Sequence, residues 1–510
     1  MRNPYPADRA DRKTETLNMT VCRTARRVVL GLVVAAFAAA QPAIAEPLDL
    51  MDTFQLAESQ DPRLRAAEDR FRGSEETRSQ ARALFLPEVN LEAESAYNWD
   101  NTRFGGQPRR TTDFESWNLG LVARQPLFRI ESFSARRQAE IVIDTATLDV
   151  ARAREELALR TSEAYFDILL AQDQLATVEA ELVAIERELR RSQRALEVGT
   201  GTVTDVNDAQ ARFDLVEADR LRAENNLMIA RENLRRLIDR PVGELMSLQD
   251  DFRADPPEPA DASAWARRAE ANNLQVLIAE QGFERAREEV EQERGSRYPQ
   301  VDLVARHGRN YQGEVTSGGG AGAAGGQQFG GALRSEQTSI GLQLTMPLYT
   351  GGATSSRIRE RQAERDATFS DTIDAKRSAA INAESTYLNL VSNLRQIEAL
   401  EQALRSIRST EQSTQRGIEV GLRTTLDLLN VQRERFETER QLSEARYGYL
   451  LNYLRLLAAV GAAIDDTGIQ DVNFFLTRDP GPRDIPDPAE LDTLDEPTPD
   501  PETDPVTDNG

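Results

Sequence analysis

The chain has one cysteine, Cys22, and one histidine, His307, among 510 residues. With Cys22 in a segment expected to be removed and His307 the single histidine, a Cys-His dyad, a Ser-His-Asp triad and a histidine-based metal site are not expected. Cys22 lies in a segment expected to be removed, which leaves the mature chain no disulfide. Aromatic residues are scarce at 6%, against 29% charged residues and a mean hydropathy of -0.54. That balance suits long polar helices better than a large globular core. Positive charge is in deficit: the formal net charge is -23. Phosphate binding needs clustered Lys and Arg, so a nucleic-acid partner is not expected. Residues 478–510 hold 11 acidic side chains against Arg478 and Arg483, and the remaining excess is spread over the body. Beyond residues 28–40, no stretch approaches the length of a membrane-spanning apolar helix. A mature chain of this kind crosses a bilayer only as a β-barrel.

The one apolar run has the marks of a secretory signal. Arg23, Arg26 and Arg27 precede VVLGLVVAAFAAA (28–40), and Ala43-Ile44-Ala45 offers a cleavage pattern before Glu46. Residues 1–45 are therefore read as a signal peptide, with Met19 an alternative start. The competing reading, a membrane anchor, asks for ~20 apolar residues. No cysteine follows the run to accept a lipid.

The chain repeats itself. Leu86-Pro87-Glu88-Val89 matches Tyr298-Pro299-Gln300-Val301, and Pro126-Leu127-Phe128 matches Pro347-Leu348-Tyr349. Ala164-Tyr165 matches Thr386-Tyr387, and VGTGTVTDV (198–206) matches VGLRTTLDL (420–428), both at an offset of 222 residues. Two copies of one unit are expected, at 46–254 and 261–465. An acidic, proline-rich linker at 255–260 joins them, and a Pro- and acid-rich disordered tail follows at 466–510. Each copy reads helix, strand, loop, strand, long helix, tight turn, helix.

The strands alternate with period two. Val89, Leu91, Ala93, Tyr97 and Trp99 oppose Asn90, Glu92, Glu94 and Asn98. Trp117, Leu119, Leu121 and Ala123 oppose Ser116, Asn118, Gly120 and Arg124. Val301, Leu303 and Ala305 oppose Asp302 and Arg306, with Val304 breaking the pattern. Ile340, Leu342, Leu344 and Met346 oppose Ser339, Gly341, Gln343 and Thr345. One apolar and one polar face, with aromatics near strand ends, suits a transmembrane barrel with a wet lumen. A soluble sandwich shows the same alternation. Long polar loops, 100–113 and the Gly-rich 317–331, join the strand pairs. No Gly-Lys-Ser/Thr follows that run, so a surface loop is read there, not a phosphate cradle. Four strands cannot close a barrel, so transmembrane strands require oligomerisation.

The helices carry heptads. Ile168, Leu175, Leu182, Leu189 and Leu196 recur at seven-residue spacing, with Ala171, Val178 and Ile185 as a second seam. Leu390, Ile397, Leu404 and Ile418 keep the phase in the second copy, with Leu400 and Ile407 on the other seam and Glu411 interrupting. Val206, Phe213, Leu227 and Leu234 continue after the first turn. Left-handed supercoiling against neighbouring helices follows. Residues 131–197 contain neither proline nor glycine. At ~1.5 Å per residue they extend about 100 Å, too long to fold into a globule.

The paired Pro-Leu-aromatic strand ends, the Ala-Tyr/Thr-Tyr starts and the duplicated V-G-x-x-T-x-x-D turns together resemble TolC-type outer-membrane efflux proteins, over about 48–465. The resemblance implies a mixed α and β protein with four strands per protomer. Three copies would complete a twelve-stranded transmembrane β-barrel, continued by a coiled-coil α-helical barrel across the periplasm. It implies an outer-membrane exit duct of a tripartite export system, without cofactor, metal or catalysis, embedded in outer-membrane lipid. The implied partners are a periplasmic adaptor (membrane fusion) protein and an inner-membrane transporter, with type I protein secretion or drug efflux as the task. It implies adaptor contacts at Val198, Gly199, Val420 and Gly421, and a periplasmic gate at Asp205, Arg423 and Asp427, with Asp208 a further candidate. The second aspartate ring position is Asn430 here, and the gate tyrosine is Ile418. Repeating a carboxylate around a symmetry axis raises the cost of ionisation and draws cations in. Asp205 and Asp427 also suit helix N-caps, as do Thr204 and Thr425.

Two rivals compete. A periplasmic coiled-coil adaptor or scaffold explains the heptads and the signal, but not four amphipathic strands. A two-carboxylate hydrolase needs an acid pair in an apolar pocket, and nothing in the sequence places one.

Overall fold

A computed structural model describes residues 47–102, 110–249, 252–314, 316–318, 331–462 and 464–477. The expected signal peptide, half of the first strand-joining loop, most of the second and residues 478–510 lie outside them.

The first copy opens with α1 (Leu50–Gln60) and α2 (Pro62–Ala83). They break at Asp61, whose carboxylate accepts from the Arg63 and Leu64 amides, each at 2.8 Å. Pro62 then starts α2, where its missing N–H costs nothing. β1 (Glu88–Thr102) and β2 (Arg110–Phe128) follow, then α3 (Ile130–Glu197) and α4 (Val203–Ile238). The second copy repeats this order: α5 (Ala262–Asn272), α6 (Leu274–Gly295), β3 (Gln300–Gln312), β4 (Leu333–Thr345), α7 (Ala353–Glu419) and α8 (Thr425–Ala459). Its opening break falls at Asn273, whose side chain caps α6 as Asp61 caps α2. Both copies open with helices of 11 and 22 residues. The long helices are 68 and 67 residues.

The strands form one antiparallel sheet in the order β1-β2-β3-β4. They outrun the expected spans. β1 and β2 pair as far as Thr102 opposite Arg110, and the short strand Thr316–Gly318 pairs with Thr111–Asp113. Each ladder extension satisfies backbone groups that a loop would leave to solvent. Val304, the break in alternation, shares a face with Asp302, and both are buried at the strand end nearest the helices. There Asp302 receives two hydrogen bonds from Arg129, the residue preceding α3, at 3.1 and 2.7 Å. This pair ties β3 to the start of the long helix.

The main core lies midway along the helices. The motif residue Tyr165 is fully buried in α3, and Tyr387 in α7 stacks on Trp265 at 6.5 Å between centroids. The Tyr165 hydroxyl donates to the Leu48 and Met246 carbonyls, at 3.1 and 2.8 Å. The tail boundary expected at 466 is corrected here. Ile464–Gly468 form a π-helical turn, Ile469–Asn473 a short helix, and Leu476–Thr477 pair with Ser247–Leu248. Ile464, Ile469, Val472 and Leu476 are buried, and that apolar set holds the segment to the core.

The expected second seam of α3, Ala171, Val178 and Ile185, is buried, as are Leu390, Ile397 and Leu404 of α7. In the leucine column of α3 beyond Ile168, Leu189 is buried, Leu175 and Leu182 are half-buried and Leu196 is exposed. Val178 and Ile185 are buried, with Glu181, Glu188 and Ser192 on the same face. In α4 the buried column is Ala209, Val216, Ala223, Ala230 and Leu237, mostly small residues that let helices approach. Of the expected column, Val206, Phe213 and Leu227 are half-buried beside it and Leu234 is buried. In α7 the break in the heptad, Glu411, takes the seam position and pairs with Arg435 of α8 at 3.0 Å. Among the described residues, no helix is long and apolar enough to cross a membrane.

Candidate functional site

Two regions carry chemistry: the helical turns at one end and the sheet at the other, separated by about 100 Å of helix at 1.5 Å rise per residue.

The two turns are built alike. Gly199 has φ +77° and Gly421 has φ +75°, the left-handed conformation that ends α3 and α7 and that disfavours any side chain. The Thr200 amide returns to the Ala195 carbonyl at 2.9 Å, and the Leu422 amide to Gly417 at 2.8 Å. The next helices begin with capping boxes. Thr202 Oγ1 accepts from the Asp205 amide at 3.2 Å, while Asp205 accepts from the Thr202 amide at 3.1 Å. Thr424 and Asp427 repeat this at 3.2 and 3.0 Å. The N-caps are thus Thr202 and Thr424. Asp205, Asp427, Thr204 and Thr425, expected as caps, all fall inside the helices. The two aspartates serve the third helical position of each box instead. Hydrogen bonds from Thr424 hold the Asp427 carboxyl below its ordinary pKa, with Arg423 adding to the effect. Arg423 folds back over Gly417, where a Cβ would meet its side chain at 2.7 Å. Asp208 is exposed on the second turn of α4. Val198, Val420 and Leu422 expose 73%, 69% and 81% of their surface. Both turns therefore present apolar side chains beside a carboxylate.

Sequence reasoning missed three features behind the turns. Glu181 of α3, 3% exposed, bonds Arg212 of α4 at 2.6 Å and Arg440 of α8 at 3.2 Å. It joins the two helical hairpins. Glu188, 6% exposed, receives the hydroxyl of Thr425 from α8 and has Arg191 at 3.8 Å. Its Oε1 has no hydrogen-bond partner, and burial pushes its carboxyl above the ordinary range, with Asp205 adding. Glu411, seen only as an interruption, is the third. The available signal was an acid at a seam position: Glu181 and Glu188 stand three residues after Val178 and Ile185.

At the other end, the outward face of the sheet is apolar and bare. Leu91, Trp99, Ile340, Leu342 and Leu344 expose 68–75% of their surface. Val89, Ala123, Ala305 and Ile340 lie in one row across the sheet. That row is the lower limit of the apolar stretch on β1, which runs up to Trp99. On β4 it is the upper limit, above which Thr338 and Glu336 follow. The belt therefore crosses the strands on a diagonal. Strands tilted ~35–45° through a membrane produce such a diagonal, because the belt follows the bilayer and not the ladder rows. Above the belt His307 Nδ1 lies 2.8 Å from Thr338 Oγ1, and Arg309 pairs with Glu336 at 3.3 Å. Trp117 stacks on Tyr311 at 5.8 Å. The opposite face carries Glu88, Glu92, Glu94 and Arg306. Among the described residues, no cluster of side chains suits a metal ion.

A family model described as outer membrane efflux protein matches residues 53–240 and 265–462. The chain belongs to the outer membrane efflux protein family. It is an outer-membrane channel protein that extends into the periplasm. It is 30% identical over 446 residues to the alkaline protease secretion protein AprF of Pseudomonas aeruginosa, covering 86% of this chain and 89% of the relative. It is 30% identical over 428 residues to the outer membrane protein TolC of Vibrio cholerae, covering 84% and 94%. A solved structure of CusC shares the fold at a TM-score of 0.67 and 16% identity, covering 84% of this chain and 96% of that one. The bare apolar belt and the two capped turns lie at opposite ends of the long helices. The predicted tip residues Val198, Gly199, Asp205, Asp208, Val420, Gly421, Arg423 and Asp427 all fall on those two turns and the helix starts that follow them.

Proposed function

We propose that three copies close their four-stranded sheets into one twelve-stranded barrel, and that the assembly is the exit duct of a tripartite export system. The carrying observation is the sheet itself. Its outward face is apolar and exposed, β1 and β4 each have one open edge, and it continues into helices long enough to bridge the periplasm. An open edge in lipid strands backbone hydrogen-bonding groups, so the edges must meet other copies. The helices then line a periplasmic tube with no catalysis of its own. Val198, Gly199, Val420 and Gly421 form the surface for a periplasmic adaptor that couples the duct to an inner-membrane transporter. Asp205, Asp208, Arg423 and Asp427 ring the periplasmic constriction as a gate, and the capping role of the two boxed aspartates coexists with it. The name of the AprF relative supports protein secretion as the cargo task.

The test is single-channel conductance of the purified protein in planar bilayers, wild type beside Asp427→Ala. A cation-selective channel whose conductance rises in the variant supports tube and gate together. Unchanged conductance removes Asp427 from the gate. A well-folded protein that never conducts contradicts the duct.

A further inference from the structure

Beside the main core, midway along the helices, an apolar groove stays open. It lies between α5, the start of α6 and the end of α8, with a volume of about 740 Å³. Trp265, Leu274, Leu277, Tyr453 and Leu457 line it. Trp265 is 4% exposed, and its indole nitrogen donates to the Pro259 carbonyl at 2.8 Å, so the ring is fixed. The Arg268 guanidinium lies over that ring, 5.1 Å from its centroid. Gly461, at φ +66°, brings the end of α8 against Asn272, where a side chain would strike the Asn272 carbonyl. Two helix ends held this closely give the groove a fixed shape.

The last described residues stand close by. Leu476–Thr477 pair with Ser247–Leu248, and Phe475 packs edge-on against Phe252 at 5.2 Å. Phe252 in turn lies 6.1 Å from Tyr449. Tyr453, which lines the groove, is one turn further along α8, ~6 Å away. Residues 478–510 continue from this point. The eight residues from Thr477 to Ile485 reach about 26 Å at ~3.3 Å each, enough to cover that path. Their chemistry fits the groove. Asp484-Ile485-Pro486-Asp487-Pro488 sets one branched apolar side chain and two prolines among carboxylates. A proline restricts the residue before it to extended backbone, and aromatic-lined grooves take up extended proline-rich segments. The charges fit as well. Arg253, beside Phe252, and Arg268 have no carboxylate partner among the described residues, whereas their neighbour Arg267 pairs with Asp261. The acids of 478–510 outnumber its two arginines, with 11 carboxylates.

We propose that this groove is the docking site of the chain's own acidic segment, with Ile485, Pro486 and Pro488 against Leu274, Leu277 and the Tyr453 ring. Asp487 then meets Arg268, on the side away from Glu258, the one acid in the lining. The docked segment straps the middle of the helices and competes with any other protein for that face. Neither barrel closure nor the gate enters this reading.

Disulfide trapping in the full chain tests this, in a Cys22→Ser background. Ala271 is exposed at the groove. Ala271→Cys is combined in turn with Ile485→Cys and with Leu494→Cys, and bonds within one chain are read by peptide mass spectrometry. For an undocked tail, linkage falls as about the −3/2 power of tether length, so position 485, eight residues from Thr477, would outpace position 494, 17 residues from it, by only about threefold. Docking raises that ratio to at least about thirtyfold, and Arg268→Glu brings it back towards threefold. A ratio near threefold without Arg268→Glu overturns the proposal. A high ratio that Arg268→Glu leaves intact overturns docking guided by this arginine. Bonds that form only between copies assign the segment to a second copy and overturn docking on its own chain. An Ala271→Cys thiol that links to neither position and resists maleimide is covered by another protein, which also overturns it.

Discussion

Glu181→Gln should loosen the two hairpins against each other. The carboxylate is buried and holds Arg212 at 2.6 Å and Arg440 at 3.2 Å, on different hairpins. Glutamine keeps the volume and one acceptor but removes the charge that both arginines face. Breaking a fully buried pair costs about 3–5 kcal/mol. The Arg212 and Arg440 side chains expose 23% and 26%, so water recovers part of that. Solvation at this depth leaves about 2 kcal/mol for the junction, below the fully buried range. By the relation of 1.4 kcal/mol per tenfold, that is a roughly 30-fold rise in local opening. Hydrogen–deuterium exchange of α3, α4 and α8 around residues 178–185, 209–216 and 436–442 reads this directly, since these three helices share the node. The same loosening should raise leak conductance in bilayers. Unchanged exchange there, with Glu181→Gln folded and inserted, would refute the idea that this carboxylate joins the hairpins.

Other consequences follow from the turns. Thr424→Ala removes the α8 cap and should cost about 1 kcal/mol at that helix start, read as faster exchange over 425–430; equal exchange in wild type and variant would contradict the capping role. The Asp427 carboxyl is held below its unfolded value, so its contribution is present above that value and lost as pH falls through the folded one. Exchange at the start of α8 should therefore accelerate only in acid, and Asp427→Asn should abolish that pH dependence. Glu188 has the opposite sign: burial raises its carboxyl, so it opposes packing at neutral pH and ceases to as pH falls through the raised folded value. Glu188→Gln should stabilise the tip end of α3 at neutral pH, by an amount on the order of 1 kcal/mol, with the gain fading in acid; a gain that persists at low pH would count against titration of Glu188. Gly421→Ala forces a side chain into φ +75° and should destabilise the α7–α8 turn by about 1 kcal/mol, visible as local exchange.

Much of this was legible in the sequence because it is periodic or punctuated. Period-two alternation located all four strands, the absence of proline and glycine over 131–197 set the length of α3, and the Val-Gly pairs marked both turns. What escaped depends on distant neighbours. Which heptad column faces inward is decided by the helices packed against it, so both columns of α3 were read as seams, and Glu181 and Glu188 beside Val178 and Ile185 went unrecognised. Acids at seam positions read as interruptions until their arginines, far along the chain, are seen beside them. The N-caps were misplaced because Thr202 and Thr204, or Thr424 and Thr425, are equally good cap residues, and only the backbone decides. The segment 464–477 reads as the start of a tail because its apolar residues are few and find their partners in α1 and at Ser247–Leu248.

Assembly is the central claim, and the mass of the detergent-extracted complex tests it most directly. Native mass spectrometry of protein taken from outer membranes should return three copies of the mature chain, with four strands from each. A monomer that is folded, inserted and stable alone would contradict the account, because its two sheet edges would then stand open in lipid.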